Sequence, residues 1–160
     1  MPDLDVDREA VVAVLNRILE HELAGAVRYT HYSLMVYSPH RIPIVQWLRG
    51  EASIAMAHAH RAGEMVTHLG AHPSLSIGAL LETHKHEIEA ILRESLAMEL
   101  DGLRLYKKLH ELVKGRSILL EEYARTLIVE EEMHVGEVDK MLRQPGEVGQ
   151  SDAVLAAFMH

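Results

Sequence analysis

The 160-residue sequence has no cysteine, few aromatic residues and an excess of acids. Without cysteine the chain has no disulfide, no thiolate nucleophile and no cysteine-ligated metal site. The net charge of −8 argues against binding to nucleic-acid phosphates, which requires a basic surface. The acidic start MPDLD is unlike a signal peptide, and every long apolar stretch carries charges. We therefore expect a cytoplasmic protein with no nucleic-acid partner and no membrane span.

Good helix formers fill the rest of the chain, and prolines stay out of the middle of its long segments. Apolar residues recur at helical period in four long segments and one short one, which predicts an all-α fold. The predicted helices run from about Asp7 to Tyr37, Ile44 to Leu69, Thr83 to Lys114, Ser117 to Leu142, and Ser151 to His160. We expect residues 1–145 to form one bundle and residues 146–160 to place the short apolar helix at an oligomer contact.

Connection lengths predict how these helices are joined. The links between helices one and two and between three and four are short, which favours two antiparallel hairpins. The link from Gly70 to Thr83 could span roughly 45 Å when extended, at about 3.3 Å per residue. The predicted second helix has about 26 residues and is therefore only about 39 Å long, at about 1.5 Å per residue. We therefore predict a long crossover between helices two and three, the arrangement of ferritin-like bundles.

Acids interrupt the apolar stripes at matched positions. Helix three carries Glu99, and helix four carries Glu131 and His134 in a Glu-x-x-His motif. Helix one carries Glu22, and helix two carries His58, whose offset from Glu22 is 36 residues against 35 for His134 from Glu99. Four-helix bundles hold two metal ions with a glutamate from each of two helices and a Glu-x-x-His motif from each of the other two.

A single glutamate in a helix more often faces solvent, so the prediction depends on the joint pattern. Buried acids are normally paired, protonated or bound to metal, and no lysine or arginine lies on these stripes. Residues three apart share a helix face, so Glu131 and His134 can reach one ion. Carboxylates with a few imidazoles suit iron or manganese, with zinc as an alternative.

At these residues the chain resembles the bacterioferritin branch of the ferritin-like superfamily. The matching segments are ILEHELAGAVRY around Glu22, ESLAMELDG around Glu99, IVEEEMHVGEV around Glu131 and GEASIAMAHAHR around His58. The resemblance covers about Val11 to Leu142, and the short last helix matches the family's fifth helix in position.

The resemblance implies a role for each matched residue. Glu22 and Glu99 would be carboxylate ligands, Glu131 would bridge two irons, and His58 and His134 would each bind one. Tyr29 matches a tyrosine beside the di-iron centre. Met56 falls where the family places the axial ligand of haem b at a two-fold interface, although an interface methionine that only packs is the alternative.

Ala55 departs from the family pattern, because the family has its second bridging glutamate there. Glu51, one turn earlier on the same face, is a candidate replacement ligand. The alternatives are a site with one well-held ion, a different metal such as zinc or copper, or a second site filled transiently.

The resemblance implies oxidation of Fe(II) by O2 or peroxide and iron storage or detoxification in a homo-oligomer, up to a cage of 24 subunits. We expect one or two irons per subunit and a catalytic set of Glu22, Glu99, Glu131 and His134. The alternatives are a shell subunit with an impaired centre that binds metal or haem, and an enzyme that acts on an organic substrate.

Overall fold

The computed structural model describes residues 5–159, and within that range it contains five α-helices and no strand. The helices are α1 (Arg8–Met35), α2 (Arg41–His68), α3 (Ile88–Val113), α4 (Ile118–Leu142) and α5 (Asp152–Phe158). The predicted all-α bundle with a short last helix is confirmed, while residues 1–4 and His160 lie outside the described range. None of the described helices is long and apolar enough to cross a membrane.

Side-chain caps explain why three of the helices begin where the sequence predicts. Asp7 accepts a hydrogen bond from the backbone of Ala10, and Ser117 accepts one from Leu120. Ser151 caps α5 in the same way. Each cap satisfies a backbone N–H that has no partner within the helix.

The predicted start of α3 at Thr83 is wrong, because the chain stays non-helical until Ile88. His84 has a positive φ of 49°, which a helix does not allow. Two residues later, His86 Nδ1 lies 2.9 Å from the backbone oxygen of Met35 at the end of α1. These residues are held against α1 as part of the crossover, and therefore cannot wind into α3.

The crossover runs along α1 from one end to the other. It lies beside Asn16 at its start, where the Asn16 side chain accepts a hydrogen bond from Ser74, and it passes Glu20 at Gly78. A Cβ at Gly78 would lie 3.2 Å from the backbone oxygen of Glu20, so glycine permits this close approach. Because the crossover ends beside Met35, α3 starts at the same end of the bundle as α2 and runs parallel to it.

The apolar core is divided into two main clusters along the bundle axis. One contains Val11 to Leu19 of α1 with the second half of α2, the end of α3 and the start of α4. The other contains Tyr29 and Tyr32 of α1 and Val36 just after it, with residues from the first halves of α2 and α3. On α1, α2 and α3 the inward acids occur in the sequence between these two sets, and on α4 Glu131 lies between Leu127 of the first cluster and the buried Val135, so the acids form a polar layer with apolar packing on both sides.

The short helix α5 packs on the outside of its own bundle. Val154 is fully buried against Leu100 of α3 and Val135 of α4. The segment before it is anchored at the buried Asp139, which accepts hydrogen bonds from Arg143 and from the backbone of Ser151. A contact between α5 and another subunit stays a prediction, as does the division of the chain at residue 145.

Candidate metal centre

Each of the four long helices places one carboxylate in the polar layer. These are Glu22 on α1, Glu51 on α2, Glu99 on α3 and Glu131 on α4, and each is less than a tenth exposed. Buried apolar residues such as Ile18, Leu103 and Leu127 lie one turn away and keep the acids of α1, α3 and α4 in the core, while Glu51 lines a cavity. The layer therefore concentrates negative charge in a low-dielectric core, where it must be compensated.

Two histidines complete the layer and divide it into two overlapping groups. Glu22, His58 and Glu131 form one group, and Glu99, Glu131 and His134 form the other. In each group the candidate ligand atoms lie within 4.8 Å of one another. The structure thus brings together the five residues to which the resemblance assigns iron, with Glu131 common to both groups.

The two histidine rings have the same orientation relative to the layer. Nδ1 of His58 lies 3.2 Å from Glu131 and 3.6 Å from Glu22, while its Nε2 lies 2.9 Å from Glu130. Nδ1 of His134 lies 3.8 Å from Glu99, while its Nε2 contacts Glu51. Each ring presents one nitrogen to the core acids and the other to a carboxylate of the opposite helix. This is the arrangement that orients a metal-binding histidine.

The structure places Glu51 against the outer nitrogen of His134. Glu51 belongs to neither group of candidate ligand atoms, so its predicted role as a replacement ligand stays a prediction. Ala55, where the resemblance leads one to expect a carboxylate, is buried, and a Cβ on Gly25 of α1 would lie 3.5 Å from its methyl group. The methyl group of Ala55 thus lies where α2 packs closely against α1.

Glu130 was missed by the sequence analysis, because it lies in a run of glutamates typical of a solvated helix face. Its side chain is 43% exposed, yet it contacts His58 and lies 3.4 Å from Arg61. Its position four residues before His134 was the available signal, since residues four apart share a helix face.

Two buried tyrosines hold the carboxylates of Glu99 and Glu22 in place. Tyr29 on α1 donates a hydrogen bond of 2.6 Å to Glu99, and Tyr106 on α3 donates one of 3.0 Å to Glu22. Each tyrosine follows the glutamate of its own helix by seven residues and binds the glutamate of the other helix. Burial, reinforced by the neighbouring carboxylates, raises the pKa of both phenols well above the usual 10, so both remain donors at neutral pH. The role of Tyr106 was not predicted.

The ionisable groups of the layer change one another's pKa. Burial raises the pKa of Glu131 well above its usual range, and the Glu99 carboxylate adds to this. Burial lowers the pKa of His58, but its hydrogen-bonding partners Glu131 and Glu22 outweigh that effect and raise it to about 10. In the metal-free protein, bound protons in this layer thus compensate part of its negative charge, and a metal ion would displace them.

The donor set fits a hard or borderline cation. It offers buried carboxylate oxygens and two imidazole nitrogens, a combination that suits iron, manganese or zinc. Oε2 of Glu131 is buried and has no hydrogen-bond partner, so an acceptor atom is left over in the centre of the layer. A buried acceptor without a partner is costly, and a cation would satisfy it.

The layer is accessible from the side between α2 and α4. A cavity of about 660 Å³ lies there, and both histidines and Glu130 line it. Its apolar wall is formed by Ile54, Ala57, Val129 and Met133. A small molecule or ion can therefore approach the outer face of the two histidines from this side.

Comparison with known proteins identifies the architecture. The family model of the ferritin-like domain matches residues 12–146. A ferritin-like diiron-carboxylate protein from Bacillus anthracis is similar in structure, with a TM-score of 0.80, 21% identity, and coverage of 86% of this chain and 98% of that one. No curated protein matches the chain in sequence at a significant level.

Two further solved structures belong to bacterioferritin-like proteins. The dodecameric thioferritin of Bacteroides fragilis has a TM-score of 0.75 and 18% identity, with 86% of each chain covered. Rhodobacter capsulatus bacterioferritin, solved with a metal-free dinuclear site and haem iron, has a TM-score of 0.76 and 22% identity, with 92% of each chain covered. At these identities the likeness shows the fold.

Proposed function

The chain belongs to the ferritin-like domain family, and on that premise we propose that it binds iron in its bundle core, oxidises Fe(II) and retains the product. We place it in the bacterioferritin branch of that family. The observation that carries the proposal is the pair of ligand groups that share Glu131. Iron is the substrate in this reaction, and O2 or peroxide accepts its electrons.

Each residue of the layer has a role that follows from its contacts. Glu22 and Glu99 supply a negative charge to each group, held in place by Tyr106 and Tyr29. Glu131 supplies the shared carboxylate. His58 and His134 offer their inner nitrogens while their outer nitrogens contact Glu130 and Glu51. Together the two groups offer three carboxylates to two cations, and this negative charge favours the oxidised ion over Fe(II), because Fe(III) carries the higher charge.

Aerobic addition of Fe(II) tests the assignment. We expect a Glu131→Ala variant to lose the fast oxidation phase, because both groups lose their common ligand. Glu122→Ala is the matched control on the same helix. The Glu122 side chain is 71% exposed and forms an ion pair with the exposed Arg125. If Glu131→Ala oxidises iron as fast as the wild type and Glu122→Ala, the site assignment fails.

The specific alternative is a shell subunit whose centre is impaired. The observation that favours it is Ala55, which supplies no carboxylate where the resemblance implies a bridging one. Such a subunit would take up one iron or none and show no fast oxidation. Iron titration of the purified protein with elemental analysis separates the two: two ions per chain with oxidation support the ferroxidase, and at most one without oxidation supports the impaired subunit.

We further propose a homo-oligomeric cage in the cytoplasm, of 24 subunits as the resemblance implies. The Bacteroides fragilis relative is a dodecamer, so twelve subunits is the competing state. Light scattering on the eluted protein gives the number of 18.0 kDa chains directly.

The proposed haem role of Met56 fits its position on the outside of α2, where its side chain is 40% exposed. Packing against a second subunit is the competing role. Reconstitution with haemin, followed by absorbance, distinguishes them: a Met56→Leu variant loses the haem spectrum if Met56 is the axial ligand and is unchanged if it only packs.

A further inference from the structure

Two histidines outside the bundle core face each other across the boundary between α1 and the crossover. Nδ1 of His84 in the crossover lies 3.3 Å from Nε2 of His31 on α1, and the ring centroids are 5.3 Å apart. The two residues are 53 positions apart in the sequence, so only the folded chain brings them together. Neither contacts the carboxylate layer that carries the proposed function.

The separation of the two nitrogens is informative. A hydrogen bond from an N–H group to oxygen has a typical heavy-atom distance of about 2.7–3.2 Å, so the gap between these two nitrogens is at the long end for a hydrogen bond. Two imidazole nitrogens that bind one ion at about 2.0–2.1 Å, with a tetrahedral angle between them, lie about 3.3–3.4 Å apart. The observed 3.3 Å therefore fits two ligands of one ion, as well as a long hydrogen bond between the two rings in the metal-free protein.

The crossover backbone next to this pair is anchored independently. His86 Nδ1 lies 2.9 Å from the backbone oxygen of Met35, and its ring is 4.9 Å from that of Tyr37. Met35 follows His31 by one helical turn, so the crossover is attached to α1 directly beside the pair. Little rearrangement is then needed for the two imidazoles to meet one ion.

We propose that His31 and His84 form a second metal site, which binds one borderline divalent ion of the zinc, copper and nickel class. Imidazole nitrogens suit these metals, whereas the carboxylate-rich core suits iron or manganese. Water completes the coordination, because the pair is open to solvent. The bound ion joins the crossover to α1 and thereby stabilises the connection between the two hairpins.

Zinc titration of the full-length protein by calorimetry tests this site. We expect His31→Gln and His84→Gln each to lose one bound Zn²⁺ per chain, or to bind it at least about tenfold more weakly. His60→Gln on α2 and His72→Gln in the crossover are matched controls, because their exposed rings make no contact with the pair. Zinc bound in the core is a separate event, removed by Glu131→Ala and retained in both histidine variants.

Thermal unfolding gives a second measurement. A ligand that binds only the folded state raises Tm, so saturating Zn²⁺ should raise Tm more in the wild type than in His84→Gln. Circular dichroism confirms that the variant folds, as expected for an exposed side chain. If both histidine variants match the wild type in the number of bound ions, their affinity and the shift in Tm, the pair is an ordinary surface contact and the proposal fails.

Discussion

The carboxylate layer is built differently on its two sides. On the side of α1 and α3, the neutral phenols of Tyr29 and Tyr106 hold Glu99 and Glu22 in a closed, fully packed interior. On the side of α2 and α4, charged pairs between His58 and Glu130 and between His134 and Glu51 line an open cavity. The first side fixes ligands at any ordinary pH, whereas the second can exchange protons and ions with its surroundings.

On the closed side we expect an effect on folding stability. We expect Tyr106→Phe to lower the free energy of unfolding by about 1–3 kcal/mol, because the buried Glu22 carboxylate loses its hydrogen-bond donor. Urea denaturation of the metal-free protein measures this. Tyr37→Phe is the control, since Tyr37 is 65% exposed. Equal stability of the two variants would show that the tyrosine does not support the carboxylate.

On the open side we expect an effect on metal binding rather than on folding. Glu51→Gln should weaken metal affinity about 10- to 100-fold, because the outer nitrogen of His134 loses its charged partner. Glu130→Gln should weaken it less, since the Glu130 side chain is 43% exposed. Calorimetry with Fe(II) under anaerobic conditions measures both. Glu137→Gln, which lines the same cavity but pairs with the exposed Lys140, is the control.

Loss of binding in Glu51→Ala but not in Glu51→Gln would argue that the Glu51 side chain acts through its volume and hydrogen bonding rather than its charge. Complete loss of one ion in Glu51→Gln would instead indicate direct ligation. The two variants therefore separate an orienting role from the replacement role that the sequence suggests.

The stability of the metal-free protein should also depend on pH. Because the folded protein raises the pKa of His58 to about 10, its protonated form stabilises the metal-free fold fully below the unfolded value near 6.5. That contribution is lost as pH rises from about 6.5 to 10. We expect the free energy of unfolding to fall over this range, and His58→Gln to flatten the slope. An unchanged slope in the variant would contradict the assignment.

The pattern of the chain was sufficient for the ligands that lie on inward stripes. Glu22, Glu99 and Glu131 could be placed in the core because all three lie on apolar stripes at matched spacing, a joint pattern that a single solvent-facing glutamate would not produce. The start of α3 could not be predicted, because residues up to Glu87 are held by contacts with α1 that helical propensity does not describe.

The sequence by itself determined the five helices, the long crossover and the five residues that make up the two candidate ligand groups, since these follow from periodicity and spacing along the helices and from the lengths of the links between them. Only the tertiary structure decided that Tyr106 binds Glu22, that Glu130 binds His58 and that Glu51 faces the outer nitrogen of His134. These pairings depend on the rotation and axial shift of one helix relative to another. Packing of the whole bundle sets those two quantities, and the residue order within one helix does not contain them.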